Sequence, residues 1–191
     1  MLKYKLHPNP PQVPTGLKTD STTVTTANIS WSPVTYDGDG GIKEYQVFRN
    51  NNKVGTSSTT TYKDTGLTGD TTYAYQVKAV GNNGTESQLS AQLTVKTAAN
   101  PPQTPTGLKV DSTAVTTATI SWAPVTYNGG IKEYQVFRNN NKVGTSTTAT
   151  FNDTGLTGNT TYKYQVKAVG NNNLESALSA ELSATTTASS G

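Results

Sequence analysis

Apolar and polar residues alternate along most of this chain, and the pattern is written twice. TYAYQVKAV, Thr72 to Val80, sets Tyr73, Tyr75, Val77 and Ala79 on one side of an extended backbone and Ala74, Gln76 and Lys78 on the other. A period of two predicts a strand with one wet face. The same arrangement returns with Tyr162, Tyr164, Val166 and Ala168 against Lys163, Gln165 and Lys167. IKEYQVFR, Ile42 to Arg49, is followed by NNNK and then VGTS, which predicts strand, Asn-rich turn and strand. Further strands are expected at Thr15 to Thr19, Ala27 to Ser32, Thr60 to Lys63 and Leu89 to Val95. Seven short strands with turn signals between them predict an all-β, two-sheet sandwich.

The repetition divides the chain. PQVPTGLKTDSTTVTTANISWSPVTY, from Pro11, aligns with PQTPTGLKVDSTAVTTATISWAPVTY, from Pro102, and GGIKEYQVFRNNNKVGTS occurs unchanged at Gly40 to Ser57 and at Gly129 to Ser146. The two copies run to about 90 residues each, long enough to bury a small core. Between them ANPPQTP favours an extended, stiff connection, because each Pro fixes φ and biases the residue before it away from helix. The organisation read from this is a flanking segment at 1–10, one domain at 11–98, a Pro-rich linker at 99–104, a second domain at 105–187 and a flexible tail at 188–191.

Composition narrows the class. Charged residues are 14% of the chain and the net charge is +3, of which Lys3 and Lys5 in the flank supply two. The domains are therefore close to neutral and lack the clustered Lys and Arg that a nucleic acid would require. Cys is absent, so neither a disulfide framework nor a thiolate metal site can form. No apolar run approaches the roughly 20 residues of a membrane helix. MLKYKLHPNPPQVP has no apolar core of signal-peptide length and is read as the start of a fragment cut from a longer polypeptide.

Several motifs together carry a family resemblance. Each copy opens on Pro-x-Gly-Leu (Pro14 to Leu17; Pro105 to Leu108), places a Trp in the second strand (Trp31; Trp122) and a Tyr-x-Val in the third, and enters the sixth through Leu-x-x-x-Thr-x-Tyr (Leu67 to Tyr73; Leu156 to Tyr162). The unit resembles a fibronectin type III domain, although Gly69 and Gly158 stand where many members have Pro. The resemblance implies two seven-stranded immunoglobulin-like sandwiches in tandem, with Trp31 in the core and the Tyr73 hydroxyl bonding back to nearby main chain as a tyrosine corner. The Thr- and Asn-rich style is similar to the fibronectin-like modules of secreted bacterial chitinases and chitin-active lytic monooxygenases, where they lie between a catalytic and a carbohydrate-binding domain. It implies an extracellular, monomeric spacer whose partners are the flanking domains of its own parent chain. Weak contact with polysaccharide and a cell-surface adhesin stalk are the alternatives.

Candidate chemistry is sparse. Glycoside hydrolysis needs two carboxylates at a set spacing. The acids present in both copies, Asp20/Asp111, Glu44/Glu133, Asp64/Asp153 and Glu86/Glu175, fall in expected turns or on polar strand faces, and Asp64-Thr-Gly reads as a turn former bonding local main chain. DGDGG, Asp37 to Gly41, has the look of a cation loop, yet the second copy lacks both Asp residues and keeps the flanks, so it reads as an ordinary loop. His7 is the only His, which rules out a triad or two-His metal site within the chain. Phe48/Phe137 and Tyr36/Tyr127 are the aromatics that could stack on sugar rings, with packing of Phe48 under a neighbouring strand or loop as the structural reading. Matches to the N-glycosylation pattern at Asn28, Asn83, Asn152 and Asn159 follow from composition alone. No catalytic, cofactor-binding or metal-binding residue and no cofactor is assigned.

Overall fold

The computed structural model describes residues 9–37 and 40–189. His7, most of the 1–10 flank, Asp39 of the DGDGG run and the end of the tail lie outside them. The chain divides into two compact units, Met1–Asn100 and Pro101–Gly191.

The first unit contains strands β1 (Lys18–Thr22), β2 (Thr26–Ser30), β3 (Ile42–Arg49), β4 (Asn52–Ser57), β5 (Thr61–Thr65), β6 (Thr72–Gly81) and β7 (Leu93–Lys96). They pair antiparallel in two sheets, ordered β1-β2-β5 and β4-β3-β6-β7. The second unit repeats this with β8 (Lys109–Thr113), β9 (Thr117–Ser121), β10 (Ile131–Arg138), β11 (Asn141–Ser146), β12 (Thr150–Thr154), β13 (Thr161–Gly170) and β14 (Leu182–Thr185). The all-β sandwich expected from the periodicity is what forms. Among the described residues no helix is long and apolar enough to cross a membrane.

Alternation decides what fills each sandwich. In the first unit Ala27 and Ile29 of β2, Tyr45 and Val47 of β3, Tyr75, Val77 and Ala79 of β6, Val95 of β7, and Trp31 and Leu67 from the connections make one buried cluster. The second unit builds its equivalent around Ile120, Trp122, Tyr134, Val136, Tyr164 and Val166. Trp31 meets Tyr45 edge-on with ring centroids 5.3 Å apart, a favourable aromatic geometry. Its indole N–H is buried without a hydrogen-bond partner, at a cost of about 1–3 kcal/mol. Burying a ring of this size contributes roughly 4–6 kcal/mol, so packing outweighs the orphaned donor.

Several strand boundaries differ from the sequence reading, and three strand starts do so for a local reason. β1 begins at Lys18 rather than Thr15, because Gly16 at φ +68° turns the chain just before the ladder, where a Cβ would meet the Ser32 hydroxyl at 2.6 Å. β4 begins at Asn52, since Asn50 and Asn51 at φ +49° and +66° close a two-residue hairpin loop of the type that matches strand twist. β7 begins at Leu93 rather than Leu89. Before it, the backbone N–H groups of Ala79 and Val77 donate to the side-chain hydroxyls of Ser87 and Ser90 at 2.9 and 3.0 Å, so serines stand in for a strand edge.

Candidate functional site

Of the charged and aromatic side chains singled out by sequence, Asp64, Phe48, Glu86 and Tyr36 fall into three local groups in the first unit, and their counterparts repeat these in the second. The first is buried. Arg49, at the end of β3, donates from Nη1 to both carboxylate oxygens of Asp64 on β5 at 3.0 and 2.8 Å, and the Tyr75 hydroxyl on β6 donates to Asp64 Oδ2 at 2.7 Å. The guanidinium also lies over the Tyr73 ring, 5.5 Å from its centroid. Arg138, Asp153, Tyr164 and Tyr162 repeat the group, with bonds of 3.1, 2.9 and 2.7 Å. Burial works against the Arg49 charge, but the bond to Asp64 and its charge prevail and hold the guanidinium above its ordinary pKa. Burial, then the bond to Asp64 and its negative charge, pushes the Tyr75 phenol well above the usual tyrosine range.

This group corrects the reading of Asp64 and Asp153 as turn formers bonded to local main chain. Their carboxylates point into the sandwich and bond other strands. The signal was present in the alternation: Asp64 shares the inner face of β5 with Tyr62, and an inward acid requires a partner. The tyrosine corner forms as the resemblance implies, with Thr68 N donating to the Tyr73 hydroxyl at 2.9 Å and Thr157 N to Tyr162 at 2.9 Å.

The second group lies on the outer face of the four-stranded sheet. Phe48 stands opposite Lys53 and Gln76 in the pairing, with the Lys78 ammonium 5.7 Å from its ring centroid. Phe48 is half-buried on that face beside Lys78. Lys78 also bonds Glu86 at 3.0 Å, and Gln46 donates to the same carboxylate at 3.3 Å. The hydrogen bond from Lys78 and its charge draw the Glu86 carboxyl below its usual range. Phe137, Lys167 and Glu175 reproduce the arrangement.

The third group is in the loops at one end of each sandwich. The Tyr36 ring stands against Gly81, where a Cβ would lie 2.6 Å away, and its hydroxyl bonds Thr85 Oγ1 at 2.9 Å and accepts from Asn83 Nδ2 at 2.8 Å. Tyr127 packs on Gly170 and accepts from Asn172 at 2.8 Å. These tyrosines therefore serve loop packing.

The shared acids do not converge. Asp20 takes the Ser30 hydroxyl at 2.8 Å, Asp111 pairs with Lys109 at 3.1 Å, and Glu133 accepts from Gln135 at 3.4 Å. Among the described residues no three of His, Cys, Asp and Glu are grouped to hold a metal ion. One shallow cleft recurs in both units, between Pro14–Leu17 and Ser90–Gln92 at about 180 Å³ and between Thr104–Leu108 and Ala180–Leu182 at about 290 Å³. The first is smaller than the roughly 300–1,000 Å³ usual for a small-molecule site and the second lies at its lower end.

Comparison with known proteins adds context that geometry does not supply. The family described as Fibronectin type III domain matches residues 10–96 and 101–185. Exoglucanase B of Cellulomonas fimi is 43% identical over 166 residues, covering 83% of this chain and 15% of that protein. Chitinase A1 of Niallia circulans is 30% identical over 164 residues, 83% of this chain and 23% of the chitinase. Chitinase Chi52 of Paenibacillus xylanexedens is 44% identical over 103 residues, 52% of this chain and 19% of the chitinase. The chain thus spans less than a quarter of the length of each of these relatives.

Proposed function

The chain belongs to the fibronectin type III family, in two tandem copies, and from that premise we propose that it is a non-catalytic spacer within a larger, secreted bacterial enzyme acting on polysaccharide, most specifically chitin. It separates a catalytic domain from a carbohydrate-binding domain. The observation that carries the reading is the fate of the polar groups. Asp64, Arg49 and Tyr75 are spent on one another, and Glu86 on Lys78 and Gln46. Groups committed in this way hold a sandwich rigid and leave little to engage a substrate. The relatives, named as an exoglucanase and chitinases of which a small part matches, support an accessory place in such an enzyme.

A second reading rests on Phe48 and Phe137. Each lies on an outer sheet face among Gln and Lys side chains, an arrangement that could stack weakly on a sugar ring. One experiment separates the two. The purified chain is incubated with chitin, cellulose and their oligomers, and both soluble products and adsorbed protein are measured. The spacer reading expects no turnover and at most trace adsorption. Adsorption abolished by Phe48→Ala together with Phe137→Ala would establish the second reading instead, and turnover that survives purification to homogeneity would sink both.

A further inference from the structure

The strands of the β3–β4 hairpin are unchanged from copy to copy, but the last strand reads LTVK as β7 and LSAT as β14, and its changes come with matching changes on the chain beside it. In the first copy Lys96 of β7 pairs with Asp70, in the turn before β6, at 2.7 Å. The second copy has Thr185 and Asn159 there, so both charges are absent together, and Thr185 shares a hydrogen bond with Thr161 of β13 at 2.8 Å instead. The other end of the strand shows the converse. Lys163 of β13 pairs with Glu181, the residue before β14, at 2.8 Å, where the first copy has Ala74 and Gln92. Between them Val95 and Ala184 take the same buried place, 2% and 3% exposed.

These pairs discriminate between two strands of otherwise equal fit. Leu93 and Leu182 stand opposite Tyr75 and Tyr164 in the same register. Were β14 to dock on β6, Asp70 would face a Thr in place of Lys96, Glu181 would lose Lys163, and Ala184 would leave unfilled the volume that Val95 occupies in the core. β7 docked on β13 would leave Lys163 without Glu181 and press the larger Val95 into a core that closes on Ala184. Each ion pair is exposed and contributes little to stability alone, but exchange loses both at once, and specificity is set by that difference.

The strand so marked is also the one most open to exchange. In the first unit β1, β5, β4 and β7 lie at sheet edges. β1 and β4 are each tied to their partner by a tight turn, with Thr23 N donating to Thr26 O at 2.9 Å and Asn50 and Asn51 closing the β3–β4 hairpin. β7 reaches β6 only after the connection 82–92, and β5 pairs with β2 rather than with β4, the strand it follows. β5 carries a copy-specific pair as well: Asn28 faces Lys63 in the first copy, whereas Thr119 faces Asn152 in the second and donates to its carboxamide oxygen at 3.1 Å. A chain with two near-identical sandwiches is exposed, while it folds, to misassembly in which one copy takes up an edge strand of the other.

We infer that the copy-specific pairs Asp70–Lys96 and Lys163–Glu181, with the Val95/Ala184 difference, assign each last strand to its own sandwich during folding and so suppress exchange between the copies. Ala74 stands opposite Thr94, whose counterpart is Ser183, and the chain has no Cys. In the full chain carrying Ala74→Cys and Ser183→Cys, a disulfide between positions 74 and 183 therefore reports β14 beside β6. The chain is unfolded in urea, refolded and mildly oxidised, and the linked peptides are measured by mass, with protein oxidised without prior unfolding giving the background. Adding Asn159→Asp, Lys163→Ala, Glu181→Gln, Ala184→Val and Thr185→Lys gives the second copy the first copy's set, and linkage should rise by about five-fold, the factor that two exposed ion pairs carry together. Thr185→Lys alone, at an exposed position outside the core, offers Asp70 a partner on the wrong strand and should raise linkage about two-fold, an increase lost in high salt. Equal linkage in the parent chain and the chain with all five changes, or linkage unmoved by Thr185→Lys, would overturn the inference.

Discussion

Replacing Asp64 with Ala tests whether the buried Arg49–Asp64–Tyr75 group holds the first sandwich together. Asp64 is 5% exposed and Tyr75 0%, so the truncation leaves the Tyr75 hydroxyl in the core without its acceptor, at about 1–3 kcal/mol. Arg49 loses both of its bonds to the carboxylate. Breaking a buried ion pair costs about 3–5 kcal/mol, but the Arg49 side chain keeps 29% exposure and water takes up part of its load. A total loss of about 3–4 kcal/mol is expected, against the roughly 5–13 kcal/mol that a domain of about 90 residues possesses.

Hydrogen exchange read by mass spectrometry resolves the units, because TYAYQVKAV of β6 and TYKYQVKAV of β13 differ at Ala74 and Lys163. Protection of the first peptide should fall in Asp64→Ala while that of the second holds, and Asp153→Ala should do the reverse. Adding Tyr75→Phe to Asp64→Ala should recover about 1 kcal/mol or more, since the orphaned hydroxyl is then gone. A loss below about 1 kcal/mol in Asp64→Ala, or strict additivity in the double variant, would refute the reasoning.

Stability should be level through neutral pH and fall above about pH 10: the Tyr75 and Tyr164 phenols are raised in the folded state, so the folded chain holds protons that the unfolded chain releases. Urea midpoints across that range check this, and the fall should lessen in Tyr75→Phe. Trp31→Ala should cost about 3–5 kcal/mol in urea unfolding, and a loss under about 1 kcal/mol would show that the ring is not a core element. Ser90→Ala should cost about 1–3 kcal/mol and speed exchange at the Val77 amide, which loses its hydroxyl acceptor.

The period of two and the turn residues made the strands and the hairpin legible in the sequence, and the resemblance to a family did the same for the Trp core. What escaped was chemistry between strands distant in sequence. Arg49, Asp64 and Tyr75 lie on β3, β5 and β6, and nothing in the spacing of one strand states which residue of another it will face. The serine ladder escaped for a related reason: Ser90 falls inside the strand expected from Leu89 to Val95, and whether a hydroxyl or a carbonyl meets the Val77 and Ala79 amides depends on register. Gly69, which departs from the family's usual Pro, has a reason visible only in three dimensions. A Cβ there would lie 2.9 Å from Val24 Cγ1 and 3.1 Å from Ala98 O, because the chain leaving β7 passes directly against the turn.

The unchanged stretch from Gly40 to Ser57 and from Gly129 to Ser146 can now be assigned duty by duty. Gly41 O accepts from Asn82 N at 3.0 Å, Tyr45 and Val47 fill the core, and Arg49 meets Asp64. Asn50 takes a positive φ and accepts from Ala74 N at 2.9 Å through its side chain, fixing the hairpin to β6. Gly55 lies beneath Tyr62, where a Cβ would come within 2.8 Å of the ring, and Gly144 lies beneath Phe151 in the same way. The partner across the sandwich was free to change: Tyr62 donates to Val54 O at 3.0 Å, and Phe151 cannot make that bond, yet both press on a bare glycine. The residues inside the stretch that reach several strands at once are the ones with least freedom. Repetition of the hairpin therefore follows from how many strands it must satisfy, and it requires no shared ligand to explain it.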